Sequence, residues 1–349
     1  MALTAERVLS IQSHVVFGYV GGKAAVFPLQ CLGYDVDVVN TVHFSNHAGY
    51  GRSGGTKASA GELNAIIESM EFNELLAPTR LLTGYVPGAE GLSAIAGLAR
   101  KLKERRPEMI YLLDPVMGDA GRLYVAADVI PVYREMLPLA TLIAPNWFEV
   151  ETLTQVPLND LASLQRALRI LHDEYHVPNV VLSSIPLKPW LFEALPQSIR
   201  PTDDSEYLLC ISSSSTPNST SIVHAQCVPL LPGYFSGVGD LFSALLLAHF
   251  HPGTQLCGKE ETPVSYAASH ALSKTHAVLC ITHQHSETLP EEERQPTDDE
   301  KDASEPLRRT RRMRGRELRL IQGQDIIRGT SLKDCRRLQP WEAFWDLKA

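Results

Sequence analysis

One carboxylate, Asp240, follows two glycines and precedes a long apolar run in the stretch SGVGDLFSALLLAHF (236–250). The run is shorter than the roughly 20 residues that cross a bilayer, and it predicts a buried helix of about three turns. At the start of this helix Asp240 is either a cap, which stabilises by about 1 kcal/mol, or a base that accepts a proton from an attacking hydroxyl. Gly237 and Gly239 fit the second interpretation, because a glycine-rich helix start lets a phosphate approach the backbone N–H groups.

The composition is typical of an α/β globular protein. The 349 residues are 44% hydrophobic and 21% charged, which is enough for one large core or two smaller ones. The net charge of −8 argues against nucleic-acid and membrane-surface partners. The six cysteines are scattered without metal-ligand spacing, and the N-terminus lacks an apolar signal core. We therefore expect reduced thiols and a cytoplasmic location.

Short Leu-rich or β-branched runs alternate with helical patterns over the first 184 residues. This alternation predicts βαβ crossovers and a mostly parallel central sheet. The predicted strands are 7–13, 35–42, 80–86, 109–114, 141–146 and 179–184, and the predicted helices lie near 21–32, 60–70, 89–105, 123–136, 147–154 and 160–175. The carboxyl ends of parallel strands line the ligand crevice of such a sheet. Polar or turn residues stand at these ends: Ser13, Gly84, Asp114, Asn146 and Ser183.

Beyond residue 184 the pattern becomes less regular. We expect a surface insertion over 186–206, then an antiparallel strand pair formed by YLLCIS and SIVHAQCVPLL. A further long helix is expected near 262–282.

Residues 284–316 combine an acidic half with a basic half and contain few apolar side chains. This composition predicts a disordered insertion. The arginines between Arg308 and Arg316 leave a nuclear-localisation or nucleic-acid patch as an alternative. The alternation in 317–329 predicts a return to the sheet, and the tail 330–349 has no assigned role.

Several blocks together resemble the pyridoxal kinase family of the ribokinase superfamily. They are VLSIQSHVVFGYVGGKAAVFPLQCLGYDVDVVNTVHFSNHAGY (8–50), LLTGYV, DPVMGD, APNWFE, the serine pair 183–184 and GVGDLFSALLLA. The resemblance implies a three-layer α/β sandwich, with helices on both faces of the sheet, that spans 1–283 and resumes over 317–329. It also implies transfer of the γ-phosphoryl group of ATP to the 5′-hydroxymethyl of pyridoxal, pyridoxine or pyridoxamine. Mg²⁺ or another divalent cation would assist, and the family is commonly homodimeric.

The resemblance implies a role for each polar residue at the nucleotide end of the site. Asp240 would be the base, and the N–H groups of Gly237, Val238 and Gly239 would form the anion hole. The implied ATP-binding residues are Asp114, Asn146, Glu149, Ser183 and Ser184, and the implied metal ligands are Asp114, Asp119 and Glu149. Structural alternatives remain: an Asp-Pro turn at Asp114, a helix-start carboxylate at Glu149, and strand-end capping by the serines.

For the vitamin, the resemblance implies that Ser13 bonds the polar edge of the pyridine ring and that Tyr85 flanks the ring. His47 would border the same pocket, and Asp240 would contact the reacting hydroxyl. The segment DAGRLY (119–124) corresponds to a lid over ATP, whose closure would exclude water.

Three positions depart from the family pattern. Val238 replaces a Thr that reaches a phosphate, Ala48 replaces a Thr that borders the vitamin in some relatives, and Ala144 weakens the case for a monovalent cation. Three rival functions stay open: a hydroxymethylpyrimidine kinase of the same fold, a catalytically silent scaffold, and a nucleic-acid binder that uses the arginine cluster. The acidic remainder of the chain disfavours the last.

Overall fold

The computed structural model describes residues 6–216, 221–253, 261–329 and 336–346, so Cys257 and Cys335 lie outside the described residues. The strands are β1 (Arg7–Val15), β2 (Asp35–Phe44), β3 (Gly55–Lys57), β4 (Arg80–Thr83), β5 (Ile110–Leu113), β6 (Gly118–Asp119), β7 (Arg122–Leu123), β8 (Leu142–Ile143), β9 (Asn179–Pro186), β10 (Tyr207–Ser215), β11 (Ser221–Pro229) and β12 (Gln339–Pro340). The α-helices are α1 (Gly22–Cys31), α2 (Ala60–Phe72), α3 (Ala89–Arg105), α4 (Val129–Met136), α5 (Trp147–Thr154), α6 (Leu161–Arg169), α7 (Pro189–Ala194), α8 (Val238–His249), α9 (Pro263–Glu287), α10 (Glu291–Arg294), α11 (Asp299–Ser304), α12 (Pro306–Arg314) and α13 (Gln324–Arg328).

A ten-stranded sheet crosses the described part of the chain in the order β12-β11-β10-β9-β8-β5-β4-β1-β2-β3. The central pairs from β9 to β2 are parallel, while both edges of the sheet are antiparallel. β10 and β11 form the predicted antiparallel pair. The prediction of a mostly parallel central sheet is confirmed. The carboxyl ends of its parallel strands therefore meet at one edge, where a ligand crevice is expected.

Neighbouring residues of the central strands face opposite sides of the sheet. Leu81 joins a buried cluster that includes helices α2 to α6, whereas Leu82 joins a second cluster with α1, α8 and α9. Helix α8 is almost wholly apolar after Asp240 because α1, α9 and the sheet enclose it, and every residue from Leu241 to Ala248 is buried. The three-layer sandwich is therefore confirmed. Within the ranges described above, no helix is both long and apolar enough to cross a membrane.

The charged segment 284–316 is helical, so the prediction of disorder is wrong. Helices α10, α11 and α12 fill most of it. The Asp302 carboxylate pairs with Arg308 and Arg312 at 2.5 Å each, and all three side chains are buried. Composition could not predict this fold, because it does not show which charges pair. Inside the segment the acidic and basic halves neutralise one another, and a charged side chain can be buried only when it is paired.

The alternation of the segment 317–329 had predicted a return to the sheet, and this prediction is wrong. The segment forms turns followed by α13, and its apolar residues Leu318, Leu320 and Ile327 pack into the helical layer around α8. The described part of the tail supplies β12, which pairs with β11, and Trp341 and Phe344 lie in the core on the opposite face. The tail therefore covers one edge of the sheet.

Several predicted boundaries also differ. The helix expected over 123–136 begins only at Val129, because Arg122–Leu123 pairs with Gly118–Asp119 in a separate hairpin. The expected surface insertion 186–206 contains the short helix α7 and buries Leu191, Leu195 and Ile199 in the core, so it is not purely a surface segment.

Candidate active site

The glycine-rich start of α8 lies at the carboxyl edge of the parallel strands. Gly237 is the N-cap, with φ 78°, and a Cβ there would overlap the carbonyl oxygen of Tyr19. Asp240 is the third residue of the helix and makes no side-chain capping bond to it. Its Oδ2 instead accepts a hydrogen bond of 2.8 Å from the backbone N–H of Gly21, in the loop after β1. Capping therefore does not account for Asp240.

Ser13 and Asp240 both contact Gly21. The register of β1 against β2 shifts between Gln12 and Ser13, and Ser13 is buried near the end of the strand. Gly21, with φ 54°, packs so closely on Ser13 that a Cβ would overlap the serine carbonyl and hydroxyl oxygens. The structure thus places the predicted vitamin-binding serine and the predicted base on either side of one glycine.

Asp114 directly follows β5 and is buried, and its Oδ2 accepts a hydrogen bond of 2.7 Å from Ser243 in α8. Burial and the neighbouring Asp240 carboxylate raise the pKa of Asp114 well above its usual range. Burial also raises the pKa of Asp240, although the Gly21 N–H opposes the shift. Two carboxylates held close together in a poorly solvated place form a site that favours a cation or a proton.

Asn146 and Glu149 form a reciprocal capping box at the start of α5. The Glu149 N–H donates to Asn146 Oδ1, and the Asn146 N–H donates to Glu149 Oε2, both at 2.9 Å. Glu149 Oε1 also accepts from the N–H of Met117 at 3.0 Å. The pKa of Glu149 is raised by burial and by Asp114. Glu149 is thus a helix-start carboxylate, as its structural alternative predicted, and its bond to Met117 also orients the loop that follows β5.

Asp119 lies in the β6–β7 hairpin, half-buried, where its Oδ1 accepts from the N–H of Ala120 at 2.7 Å. The predicted lid segment, 119–124, is this hairpin. In the part of the chain that the structure describes, no three His, Cys, Asp or Glu side chains are grouped to hold a metal ion. The predicted ligands Asp114, Asp119 and Glu149 therefore do not form a preformed cluster. Both Glu149 oxygens are already occupied, since each accepts a hydrogen bond from a backbone N–H group.

Ser183 and Ser184 are half-buried in β9, which continues to Pro186, so they do not end the strand as expected. They do lie past the last pair with β8, Ile143 with Val180. The N–H of Ser183 donates to the Pro145 carbonyl at 3.2 Å, next to Asn146. The two serines therefore stand at the same edge of the parallel sheet as Asp114.

The residues predicted to bind the vitamin are placed by two loops. Tyr85 follows β4, half-buried, and its carbonyl accepts from the Thr41 hydroxyl at 2.7 Å. His47 is buried before a 3-10 turn, with Nδ1 accepting from the Gly49 N–H at 3.2 Å and Nε2 lying 2.9 Å from Glu317 Oε1. Glu317 was not among the predicted site residues, and its local sequence RGRELRL offers only a single acidic residue among arginines and leucines.

The strand order, the three layers and the glycine-rich helix start at the carboxyl edge define an α/β protein of ribokinase type. A family model described as phosphomethylpyrimidine kinase matches residues 80–193. The chain is 42% identical to the pyridoxal kinase of Arabidopsis thaliana, over 69% of this chain and 73% of that one. For the pyridoxal kinase of Homo sapiens the identity is 37%, over 73% and 81%.

A solved structure of pyridoxal kinase from Leishmania donovani, in complex with ADP and pyridoxamine, matches the model with a TM-score of 0.76. The match covers 96% of this chain and 99% of that one, at 30% identity. The chain belongs to the pyridoxal kinase family.

Proposed function

We propose that the protein transfers the γ-phosphoryl group of ATP to the 5′-hydroxymethyl of pyridoxal, pyridoxine and pyridoxamine, in vitamin B6 salvage. The observation that carries the proposal is the Asp240 carboxylate, oriented by the Gly21 N–H at the partly exposed start of α8. Relatives named pyridoxal kinase cover most of the chain, and solved relatives are described in complex with ADP and pyridoxamine or pyridoxine.

Phosphoryl transfer requires positioned reactants, charge neutralisation and a group that accepts the hydroxyl proton. Asp240 has a raised pKa, which brings it nearer to the pH at which a general base works best. The first N–H groups of a helix have no partner within it, so those of Gly237 to Asp240 form an anion hole for the transferred group. Val238 supplies no hydroxyl there, and the hole therefore relies on the backbone alone.

The carboxylates at the edge of the sheet fit Mg²⁺. Repulsion between Asp114 and Asp240 favours a bound cation, and Mg²⁺ prefers oxygen ligands while it retains several waters. A few carboxylates that act partly through water therefore suffice, and we assign this role to Asp114 and Asp119, with Glu149 supporting the loop between them. Bound Mg²⁺ would neutralise charge on the ATP phosphates. Ser183 and Ser184 are proposed to contact those phosphates, and Ala144 offers no hydroxyl for a monovalent cation.

We also propose a cytoplasmic homodimer, with the nucleus as an alternative location. Cys31, Cys210, Cys227 and Cys280 are free thiols, which suits a reducing compartment. Helix α2 and the loop after it expose Ile66, Phe72 and Leu75, an apolar surface that suits a subunit contact.

The rival with a specific observation in its favour is a hydroxymethylpyrimidine kinase, because the matched family model is described as phosphomethylpyrimidine kinase. It would use the same base and anion hole on a smaller ring. The relatives named pyridoxal kinase match the chain beyond residues 80–193, which favours the pyridoxal assignment.

The deciding experiment offers pyridoxal and hydroxymethylpyrimidine side by side to the purified protein with ATP and Mg²⁺. We expect turnover of pyridoxal, and a loss of about 10²-fold or more in kcat for Asp240→Asn, the usual scale of general-base catalysis. Asp160→Asn, at the exposed N-cap position of α6, is the matched control and should keep full activity. Turnover of the pyrimidine alone would establish the rival. If the folded protein binds ATP but phosphorylates neither compound, the kinase assignment is wrong.

A further inference from the structure

The Glu317 carboxylate accepts hydrogen bonds from two N-terminal segments of the chain. Its Oε2 accepts from the N–H of Tyr19 at 2.8 Å, and its Oε1 accepts from the Tyr50 hydroxyl at 2.7 Å. Oε1 also lies 2.9 Å from His47 Nε2. The side chain is only 12% exposed. Gly18, with φ +93°, leaves room for the carboxylate, because a Cβ there would overlap both of its oxygens.

These contacts keep Glu317 ionised. Burial opposes the charge, but hydrogen bonds from His47, Tyr50 and Tyr19 hold the pKa of Glu317 below its usual range. A buried carboxylate is stable only while such donors remain in place. The two N-terminal segments are therefore bound to a fixed negative charge contributed by the far end of the chain.

One consequence concerns the ring of His47. Its Nδ1 accepts from the Gly49 N–H, so the proton of the neutral ring lies on Nε2 and points at Glu317. Both ring nitrogens are then engaged within the protein. His47 therefore has no ring nitrogen left for a ligand, its ring packs against Tyr50 with centroids 4.8 Å apart, and its orientation is set by Glu317.

A second consequence reaches the base. Tyr19 is held at its N–H by Glu317, and its carbonyl packs against Gly237 at the start of α8. Two residues further on, the Gly21 N–H donates to Asp240. The loop 18–21 is therefore held by Glu317 at one end and orients the Asp240 carboxylate at the other.

We propose that Glu317 is a positioning residue for the vitamin pocket, which it keeps in shape by fixing the His47 ring and the loop 18–21 without contacting the substrate. The proposal rests on the proposed function. The nucleotide side of the site, at Asp114, Asn146 and Ser183, has no hydrogen bond to this carboxylate. Loss of Glu317 should therefore act on the alcohol substrate and leave ATP binding nearly unchanged.

The kinetic test compares native protein with Glu317→Gln. The amide keeps the shape of the carboxylate but presents an NH₂ group to one of three donors, so the network cannot be satisfied. We expect KM for pyridoxal to rise about tenfold, the effect of one lost hydrogen bond to a charged group, with KM for ATP within about twofold. Tyr50→Phe removes one donor and should raise KM for pyridoxal by a smaller factor.

Glu292→Gln is the matched control, because Glu292 pairs with Arg311 at the surface of the same charged region. It should leave both KM values unchanged. An unchanged KM for pyridoxal in folded Glu317→Gln would overturn the proposal. So would an equal rise in KM for pyridoxal and ATP, or a loss of kcat that merely follows a loss of folded protein, since these results describe a general structural role.

A second readout does not need turnover. The ¹⁵N shifts of the His47 ring, identified among the 12 histidines by its disappearance in His47→Gln, report which nitrogen carries the proton. We expect the Nε2-protonated tautomer in the native protein and a mixture of tautomers in Glu317→Gln. A mixture already present in the native protein would contradict the positioning role. If the kinase assignment fails, this measurement still decides whether Glu317 fixes the ring.

Discussion

At the scale of single residues, Asp114 and Asp240 are two buried carboxyl groups whose negative charges repel each other. Both are acids whose pKa is raised by burial, and Asp240 further raises the pKa of Asp114. A carboxyl group whose folded pKa exceeds its unfolded pKa stabilises the protein at low pH and loses that contribution as the pH rises through the folded value. The site is therefore maintained at the expense of stability near neutral pH.

Asp114→Asn should make this visible. Without nucleotide or metal at pH 8, we expect the free energy of unfolding from urea titration to rise by about 1 kcal/mol or more, because one pKa unit corresponds to about 1.4 kcal/mol. The gain should nearly vanish at pH 4, where Asp114 is already protonated. Asp119→Asn, in the nearby hairpin, should show no such gain. A stability loss at pH 8 would refute the argument, and phosphorylation should fall in either case.

The raised pKa of Asp240 also predicts the acid side of the pH profile. As the proposed base, Asp240 must be deprotonated to accept the hydroxyl proton, so kcat/KM should fall as the pH drops through the raised value, above the ordinary aspartate pKa of about 3.9. The midpoint should be the same with pyridoxal and pyridoxine, because the titrating group belongs to the protein. A midpoint at or below 4 would contradict the assignment.

Local pattern could identify Asp240 and Asp114, since each stands next to a recognisable turn or helix start. It could not identify Glu317, whose partners Tyr19 and Tyr50 are 298 and 267 residues away. The resemblance implies that Asn146 and Glu149 act around the nucleotide phosphates, but their hydrogen bonds in the structure are those of a capping box. Their part in binding nucleotide stays a prediction.

At the scale of elements, the sequence predicted the central strands because their apolar runs are short and bounded by turns. It failed where charge pairs or distant apolar contacts decide the structure. Helix α12 carries five arginines, yet Arg308 and Arg312 are buried on Asp302, and Arg309 donates to the Gly49 carbonyl at 2.7 Å. Several arginines of this segment therefore make contacts within the protein.

The tail offers a test at this scale. Phe344 is fully buried against Trp341, and its carbonyl accepts from Gln165 in α6. Phe344→Ala should lower the free energy of unfolding by about 3–5 kcal/mol, the usual cost of removing a core aromatic side chain. Leu307→Ala, at a side chain 64% exposed, should change it by less than about 0.5 kcal/mol. A Phe344→Ala protein as stable as the native one would mean that the tail is not packed on the core.

At the scale of the whole molecule, the fold class was predictable because strand and helix alternation leaves few topologies. The oligomeric state could not be predicted from the residues alone, since an exposed apolar surface is recognised only when it is known which side of α2 faces solvent. Phe72 is 88% exposed, an unusual position for a large apolar side chain.

We expect the native protein to elute as a dimer, by light scattering after size exclusion, and Phe72→Glu to elute as a monomer at low micromolar concentration. A buried carboxylate opposite its own copy would oppose association. Leu307→Glu is the control for adding a charge elsewhere and should remain dimeric. If native protein and Phe72→Glu have the same mass, this surface is not the subunit contact.

The contact between Glu317 and Tyr19 also bears on how the chain is made. Protein synthesis adds about 5–20 residues per second, so a ribosome needs about 15 to 60 s to proceed from the first partner to the second. During that interval the glycine loop after β1 lacks the carboxylate that anchors it, and β11, once it has been made, lacks its neighbour β12 until residues 339–340 follow. A nascent chain therefore exposes an unfinished pocket and an open strand edge until its last segment emerges, which is the period in which a chaperone would be of most use.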